Sequence, residues 1–388
     1  MHICHLAKYY APFKGGIETH VRTLAHTQAQ RGAKVKVICV DHASPASWGR
    51  SISSEYDGQV EVVRVPRWAS VSRFDVCRGL RRMLVRECNS NWDILHLHTP
   101  NPTMMMSLVG LSCQAPLVVS HHSDVVRQKV LYQGLRLLEN SIYTQAQAVL
   151  ASSEAYVAGS QLLGRFQQKV QVCPYGIDVS RFQEGGSQSG ETFLRMSALP
   201  KPLWLMVGRL VYYKGHEIAI RALRHVPGTL VIAGAGPLKN RIMQEAKRLQ
   251  VADRIVLEPN LDDESVVGAY RAATALWFPS TVRSESFGLV QVEAMAAGCP
   301  VINCHVEDSG VASVSHHHES GITVRPKDPI EFAAAANELD QDKELRRSLA
   351  EGAKRRAFSL FHKDTMADRC FEIYQSLGAP GHAIRRAA

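Results

Sequence analysis

Nowhere in this 388-residue chain does an apolar run approach the ~18 residues of a membrane-spanning helix. The first residues, Met1-His2-Ile3-Cys4-His5-Leu6, lack the basic region and long apolar stretch of a signal peptide, so none is expected. The nine cysteines are scattered, odd in number and never spaced C-x-x-C. That excludes a cysteine zinc ribbon and argues for reduced thiols in the cytoplasm rather than a disulfide framework. No Asp-x-Asp falls at an expected strand end, where a divalent ion would be held. The turn Gly234-Ala235-Gly236-Pro237 lacks the third glycine of a dinucleotide fingerprint, because Lys239 and Asn240 stand where it would fall, and this counts against a dehydrogenase. The arginines between Arg73 and Arg86 lack the interleaved aromatics of a single-strand nucleic-acid groove.

The chain length suggests two domains, and 45% apolar residues suffice for packed cores without covalent staples. The net charge of +9 falls unevenly: residues 1–185 carry 20 Lys and Arg against 13 Asp and Glu. Such an excess suits a phosphorylated ligand or an anionic surface. Short apolar runs alternate with helical periodicity throughout. Strands are expected at His2–Leu6, Val35–Val40, Val60–Val65, Ile94–Leu97, Leu117–Ser120, Ala148–Ala151 and Val170–Val172. They resume at Leu203–Val207, Thr229–Ala233, Arg254–Leu257, Ala275–Phe278 and Pro300–Ile302. The alternation implies an α/β protein of two Rossmann-like domains with parallel sheets facing a central cleft, ligands lying beyond the carboxyl ends of the strands. The turn-rich stretch from Pro174 to Gly190 marks the boundary, giving domains 1–180 and 181–363. A last helix, about 364–388, is expected to pack back on the first domain.

Five constellations carry chemistry. Ser284-Glu285-Ser286-Phe287-Gly288-Leu289-Val290-Gln291-Val292-Glu293 sets two carboxylates eight positions apart around an expected helix start. Helix-start amides suit a phosphate and carboxylates suit sugar hydroxyls, so one segment can hold a phosphate between two sugars. The plain alternative, an amphipathic helix with two solvated glutamates, leaves the Phe-Gly and Ala-Gly-Cys-Pro flanks unexplained. Val207-Gly208-Arg209 through Lys214-Gly215 follows a strand with two cations suited to a diphosphate. Phe13-Lys14-Gly15-Gly16-Ile17-Glu18 lets backbone approach a ligand, though an ordinary strand–helix turn reads the same way. Ser120-His121-His122-Ser123-Asp124 ends a strand with groups able to orient a hydroxyl. His96, His98 and the run His316–His318 are read as merely packed or solvated. Arg78, Arg82 and Arg86 are four apart, as on one helix face, which could rest on anionic lipid or simply be solvated.

In their order along nearly the whole chain, these motifs resemble retaining glycosyltransferases of family 4, of GT-B fold; the Glu285–Glu293 spacing matches the family's E-x7-E signature. The resemblance implies that Glu285 binds the transferred sugar with the amides near Phe287, Gly288 and Leu289, and that Glu293 binds the ribose. It implies that Arg209 and Lys214 hold the diphosphate, with Gly15 and Gly16 closing over it. It places His122 near the reacting sugar, and Asn260 and Leu261 at the base. Pro259 replaces a usual glycine and Tyr175 a common asparagine. The details look most like bacterial mannosyl- or rhamnosyltransferases of surface polysaccharide assembly.

The expected activity is therefore retaining transfer of a hexosyl group, mannose or rhamnose from a GDP-sugar, to a hydroxyl of a glycan or lipid-linked glycan. His122, Glu285, Arg209 and Lys214 carry the reaction, with no cofactor and no metal. The expected partners are a nucleoside diphosphate sugar, the acceptor and, through the arginine stretch with Arg127 and Lys129, an anionic membrane surface at the inner membrane face. Nucleic acid is not among them. A UDP-sugar donor, a sugar-nucleotide epimerase on the same fold and a non-catalytic basic binding protein are the alternatives.

Overall fold

The computed structural model describes residues 1–13, 15–42, 51–71, 74–124, 129–182, 191–259 and 261–379. The chain forms two compact units, Met1–Gly176 together with the chain from Lys363, and Ile177–His362. The stretch from Gln183 to Gly190, part of the expected boundary, lies outside the described residues.

Among the described residues the first unit carries a nine-stranded sheet. From one edge its strands are Ser53–Asp57, Val60–Val71, Lys34–Asp41, His2–Leu6, Ile94–Thr99, Leu117–His121, Ala148–Ala151 and Val170–Val172, with Phe74–Cys77 paired to Val60–Val71 off this path. The central strands run parallel, and Ser53–Asp57 and Phe74–Cys77 run antiparallel to Val60–Val71. Near-continuous runs of Val, Ile and Leu suit strands covered on both faces. One face packs Val21, Leu24 and Ala25 of the helix Gly16–Gln30 with Phe371 and Ile373 of the helix Lys363–Ser376. The other packs Leu84, Met104, Ile142 and Tyr143.

In the second unit the sheet order is Ile255–Glu258, Thr229–Ala233, Leu203–Val207, Ala275–Phe278, Val301–Cys304, Gly321–Val324, all parallel. This is the doubly wound order, in which the winding reverses between Leu203–Val207 and Ala275–Phe278. Its core stacks Trp204 on Trp277, ring centroids 5.1 Å apart, with Phe332 edge-on to Trp277.

Three strands are additional to the sequence expectation: Ser53–Asp57, Phe74–Cys77 and Gly321–Val324. Ser53–Asp57 is a polar edge strand whose residues Ser53 to Tyr56 are exposed, so it has no apolar pattern to read. The arginine face needs correction. The helix begins at Leu80, with Gly79 at φ +83° as its N-cap, so Arg78 precedes it and only Arg82 and Arg86 share its surface. Arg81 instead donates to the carbonyls of Ser107 and Val109. Arg73 and Arg127 lie outside the described residues. The expectation of free thiols throughout is also corrected, because Cys88 is disulfide-bonded to Cys113. Gln114 N–H donates to the Cys88 carbonyl, which brings the end of one helix to a loop 25 residues on, a proximity that no cysteine spacing announces. No helix among the described residues is long and apolar enough to cross a membrane.

Candidate functional site

In the second unit the two loops at the winding reversal are laced together. Gly215 sits at φ +70°, and a Cβ there would meet the Pro279 carbonyl oxygen at 1.8 Å. Only glycine permits this approach of the loop after Leu203–Val207 to the loop after Ala275–Phe278. Thr281 N–H then donates to the Tyr213 carbonyl at 2.9 Å. The result places Lys214 Nζ 2.5 Å from Glu285 Oε2, both side chains largely buried, and the ammonium lies 4.8 Å from the Phe278 ring centroid. Ser280 Oγ donates to the same carboxylate oxygen at 3.5 Å, and Ser309 Oγ donates to the Glu285 carbonyl.

Just beyond Glu285 the chain turns into the helix Leu289–Ala296. Its N-cap is Gly288 at φ +85°, pressed so closely on the Phe278 ring that a Cβ would come within 2.6 Å of it. Phe287 is buried, edge-on to Phe361. Gln291, fully buried, donates to the carbonyls of Phe287 and Val311 and accepts from Asn303 Nδ2. It ties the helix start to the neighbouring strand, so the first-turn amides are held in a fixed direction. Glu293 accepts from Tyr270 O–H at 2.9 Å. Burial raises the Glu293 carboxyl above its usual range, opposed by that hydrogen bond and by the Arg181 charge.

Arg209 follows the strand Leu203–Val207. It is exposed, and its guanidinium makes no hydrogen bond or ion pair among the described residues. Leu261 is half-buried; Asn260 and Lys14 lie outside the described residues. The Gly234–Pro237 turn has a packing role: a Cβ on Gly234 would meet the Gly208 carbonyl oxygen at 2.0 Å, and Leu210 N–H donates to Ala235.

The first unit holds the other expected residues. Gly15 is extended, at φ −173°, so its backbone does not demand glycine, but a Cβ there would meet the Glu18 carboxylate at 2.2 Å; the space beside Gly16 is open to 4 Å. His122 is buried, and both of its ring nitrogens are engaged. Nε2 lies 3.0 Å from His98 Nδ1, and Nδ1 lies 2.6 Å from the Tyr175 hydroxyl. His98 Nε2 lies 3.0 Å from His5 Nδ1, and His5 Nε2 lies 2.8 Å from Gln28 Oε1. His96 bonds Tyr374 and Ser120. Buried His20 faces the rings of His98, His122 and Tyr175, and its nitrogens have no partner among the described residues. His121 Nδ1 bonds the Tyr143 hydroxyl, and its Nε2 lies 3.2 Å from Asp124 Oδ1. Desolvation is the largest cause lowering the pKa of five of these rings, His5 to about 4, His20 to about 3, and His96, His98 and His122 well below the ordinary value. His96 and His98, read from sequence as merely packed or solvated, are thus members of a connected network at the winding reversal of the first sheet. His316, by contrast, pairs on the surface with Glu319 and Arg356.

Sequence reasoning missed Tyr270, Ser280, Asn303, Ser309 and the clamping role of Gln291. Only Gln291 left a signal, as a polar residue inside the otherwise apolar run Leu289–Val292.

Residues 15–176 match the family described as glycosyl transferase 4-like domain, and residues 196–356 match glycosyl transferases group 1. The chain is 28% identical to O-antigen chain mannosyltransferase C of Escherichia coli over 97% of its own length and 99% of that protein. It is 30% identical to the D-rhamnosyltransferase WbpZ of Pseudomonas aeruginosa over 71% of each. Its fold is similar to that of Anabaena HepE, solved in complex with UDP-glucose, with a TM-score of 0.75 at 20% identity, over 98% of this chain and all of that one. With paired doubly wound units, a matching domain in each half and relatives aligned along the chain, this protein belongs to the family 4-like, group 1 glycosyltransferases of GT-B fold.

Proposed function

We propose that the protein transfers a hexosyl group from a nucleoside diphosphate sugar to a hydroxyl of a glycan or lipid-linked glycan in surface polysaccharide assembly, with retention at the anomeric carbon. The observation that carries this is the Lys214–Glu285 pair at the winding reversal of the second sheet, set directly before the helix start at Gly288. A departing diphosphate needs fixed positive charge as its bond to the sugar breaks. Arg209, Lys214 and the amides at Gly288 and Leu289 supply it. Glu285, already oriented by Lys214 and Ser280, accepts from hydroxyls of the transferred sugar; Glu293 accepts from the ribose, and Asn260 and Leu261 contact the base. Gly15 and Gly16 let backbone approach the diphosphate, and Gly16 has no packing neighbour within 4 Å that would otherwise explain its glycine. His122 lies beside the reacting sugar.

The named activities of the E. coli and P. aeruginosa relatives favour mannose or rhamnose, from a GDP-sugar, and O-antigen-type assembly at the inner membrane face. The UDP-glucose complex of HepE keeps a UDP-sugar as the second reading. A thermal-shift screen with GDP, UDP and their sugars separates the two, since the true donor raises apparent stability by mass action. Turnover is proposed to need no metal and no cofactor; transfer persists in EDTA, and its abolition there, restored by magnesium, contradicts the proposal. Glu285→Ala and Lys214→Ala each cut the transfer rate by orders of magnitude, and near-normal rates in both would sink the assignment. Donor incubated without acceptor is slowly hydrolysed; its conversion to another sugar nucleotide points instead to an epimerase.

A further inference from the structure

Three buried imidazoles in the first unit form a continuous chain. Between His5 and His98, and again between His98 and His122, the facing nitrogens are 3.0 Å apart and the ring centroids 5.3 Å apart. The line joining each pair of centroids therefore runs through both nitrogens, the head-on geometry of an N–H···N hydrogen bond. A metal ion shared by two such rings would sit at the apex of an angle and draw their nitrogens off that line.

The polarity of the chain follows from its inner end. Gln28 Nε2 donates to the Tyr374 hydroxyl at 3.3 Å, which turns Oε1 to His5. An amide oxygen only accepts, so His5 Nε2 carries the proton. A neutral His5 then has a bare Nδ1, which accepts from His98 Nε2–H. His98 Nδ1 in turn accepts from His122 Nε2–H, and His122 Nδ1 accepts from Tyr175 O–H. Each ring is neutral because burial disfavours the imidazolium. The branch through Tyr374 agrees: its hydroxyl accepts from Gln28 and donates to His96 Nδ1, leaving His96 Nε2–H for Ser120. Reversing the chain would require the Gln28 amide to turn over and every proton in both branches to shift together. Since the amide oxygen cannot take up a proton, the inner end is closed.

We propose that Gln28, His5 and His98 are positioning residues that lock His122 as its Nε2–H tautomer, with Tyr175 donating to its Nδ1. The functional meaning rests on the reading of His122 as part of the transfer site. His122 then serves that site as a fixed, neutral ring and takes no part in proton transfer.

The test is ring-nitrogen NMR of the full chain labelled with 15N-histidine, combined with kinetics. In the wild-type protein His122 should appear as the Nε2–H tautomer without titrating between pH 6 and 8. Gln28→Met, close in shape but without the acceptor, should mix the His122 tautomers three links away and lower kcat about tenfold or more, leaving the donor KM unchanged. Gln28→Glu, which restores the acceptor, should restore both. The Nδ1–H form in wild type, titration of His122 in that range, or an unaltered tautomer in Gln28→Met overturns the proposal, as does zinc or cobalt held stoichiometrically by His20, His98 and His122. The wild-type spectrum needs no substitution, so a variant that fails to fold leaves the question answerable. A full transfer rate in His122→Ala would remove the catalytic reading of that residue and leave the tautomer lock standing.

Discussion

The Lys214–Glu285 ion pair has side chains only 13% and 12% exposed, so neither charge can fall back on bulk water. Removing one partner leaves the other buried without compensation, at a cost of about 3 kcal/mol, whereas removing both costs less. Denaturant unfolding of Lys214→Met, Glu285→Gln and the double variant should therefore show the double closer to wild type than Lys214→Met alone; strictly additive losses would mean that the pair is solvated. Gly215 and Gly288 make a second prediction at this scale. Both occupy the left-handed region, and a Cβ on either would collide, with the Pro279 carbonyl oxygen or the Phe278 ring. Gly215→Ala should destabilise the protein and depress transfer together, because the same collision separates Lys214 from Glu285. Retained activity with unchanged unfolding would show that the two loops need no close approach.

Single elements carry further consequences. The helix Lys363–Ser376 follows the second unit in sequence but buries Met366, Ala367, Cys370, Phe371, Ile373 and Tyr374 in the core of the first. Arg31 binds Asp364 and Asp368 at its start, and Tyr374 closes the branch of the histidine network through His96 and Gln28. Each fully buried large apolar side chain contributes about 1.5–3 kcal/mol. Deleting the chain from Lys363 should remove several such contributions and leave the first unit without cooperative unfolding. A truncated protein with unchanged hydrogen-exchange protection in His2–Leu6 and Lys34–Asp41 would contradict this. The helix itself was legible from its period, since apolar side chains recur at helical spacing from Met366 to Tyr374. The start of the arginine helix was not, because arginines at Arg78, Arg82 and Arg86 fit a helical period whether or not Gly79 breaks it. Likewise Ser53–Asp57 became a strand only because Val60–Val71 offered it an edge.

For the whole molecule, the buried histidines make stability depend on pH with a definite sign. They are neutral in the fold, with pKa values depressed to about 4 at His5 and about 3 at His20, while in the unfolded chain they titrate near 6.5. Above about pH 6.5 both states are neutral and the histidines add no pH dependence. As pH falls below that value the unfolded chain binds protons first, so stability is lost progressively down to the folded pKa values. His5 alone accounts for a loss on the order of 3 kcal/mol by pH 4. His216, also lowered to about 4, adds a single effect of the same sign in the second unit, against several in the first. Hydrogen exchange followed from pH 7.5 to 4.5 should therefore show protection falling earlier in the first sheet than in the second. Equal loss in both sheets would mean that the cluster is hydrated.

What the sequence determined by itself was the periodic and the local. Continuous apolar runs between helical stretches dictate parallel strands covered on both faces. The Glu285–Glu293 segment, the cations after Gly208 and the glycines before the first helix are signals carried within a few residues of chain. The tertiary structure alone decided what depends on distant segments meeting. It joined Lys214 to Glu285 through the close approach at Gly215, and brought Cys113 to Cys88. It joined His5, His96, His98 and His122, of which only His122 stood out in the sequence, into one network capped by Gln28. A buried hydrogen bond between residues 93 positions apart, as between His5 and His98, has no period and no spacing to betray it. It exists because winding reversal sets the strands His2–Leu6 and Ile94–Thr99 side by side.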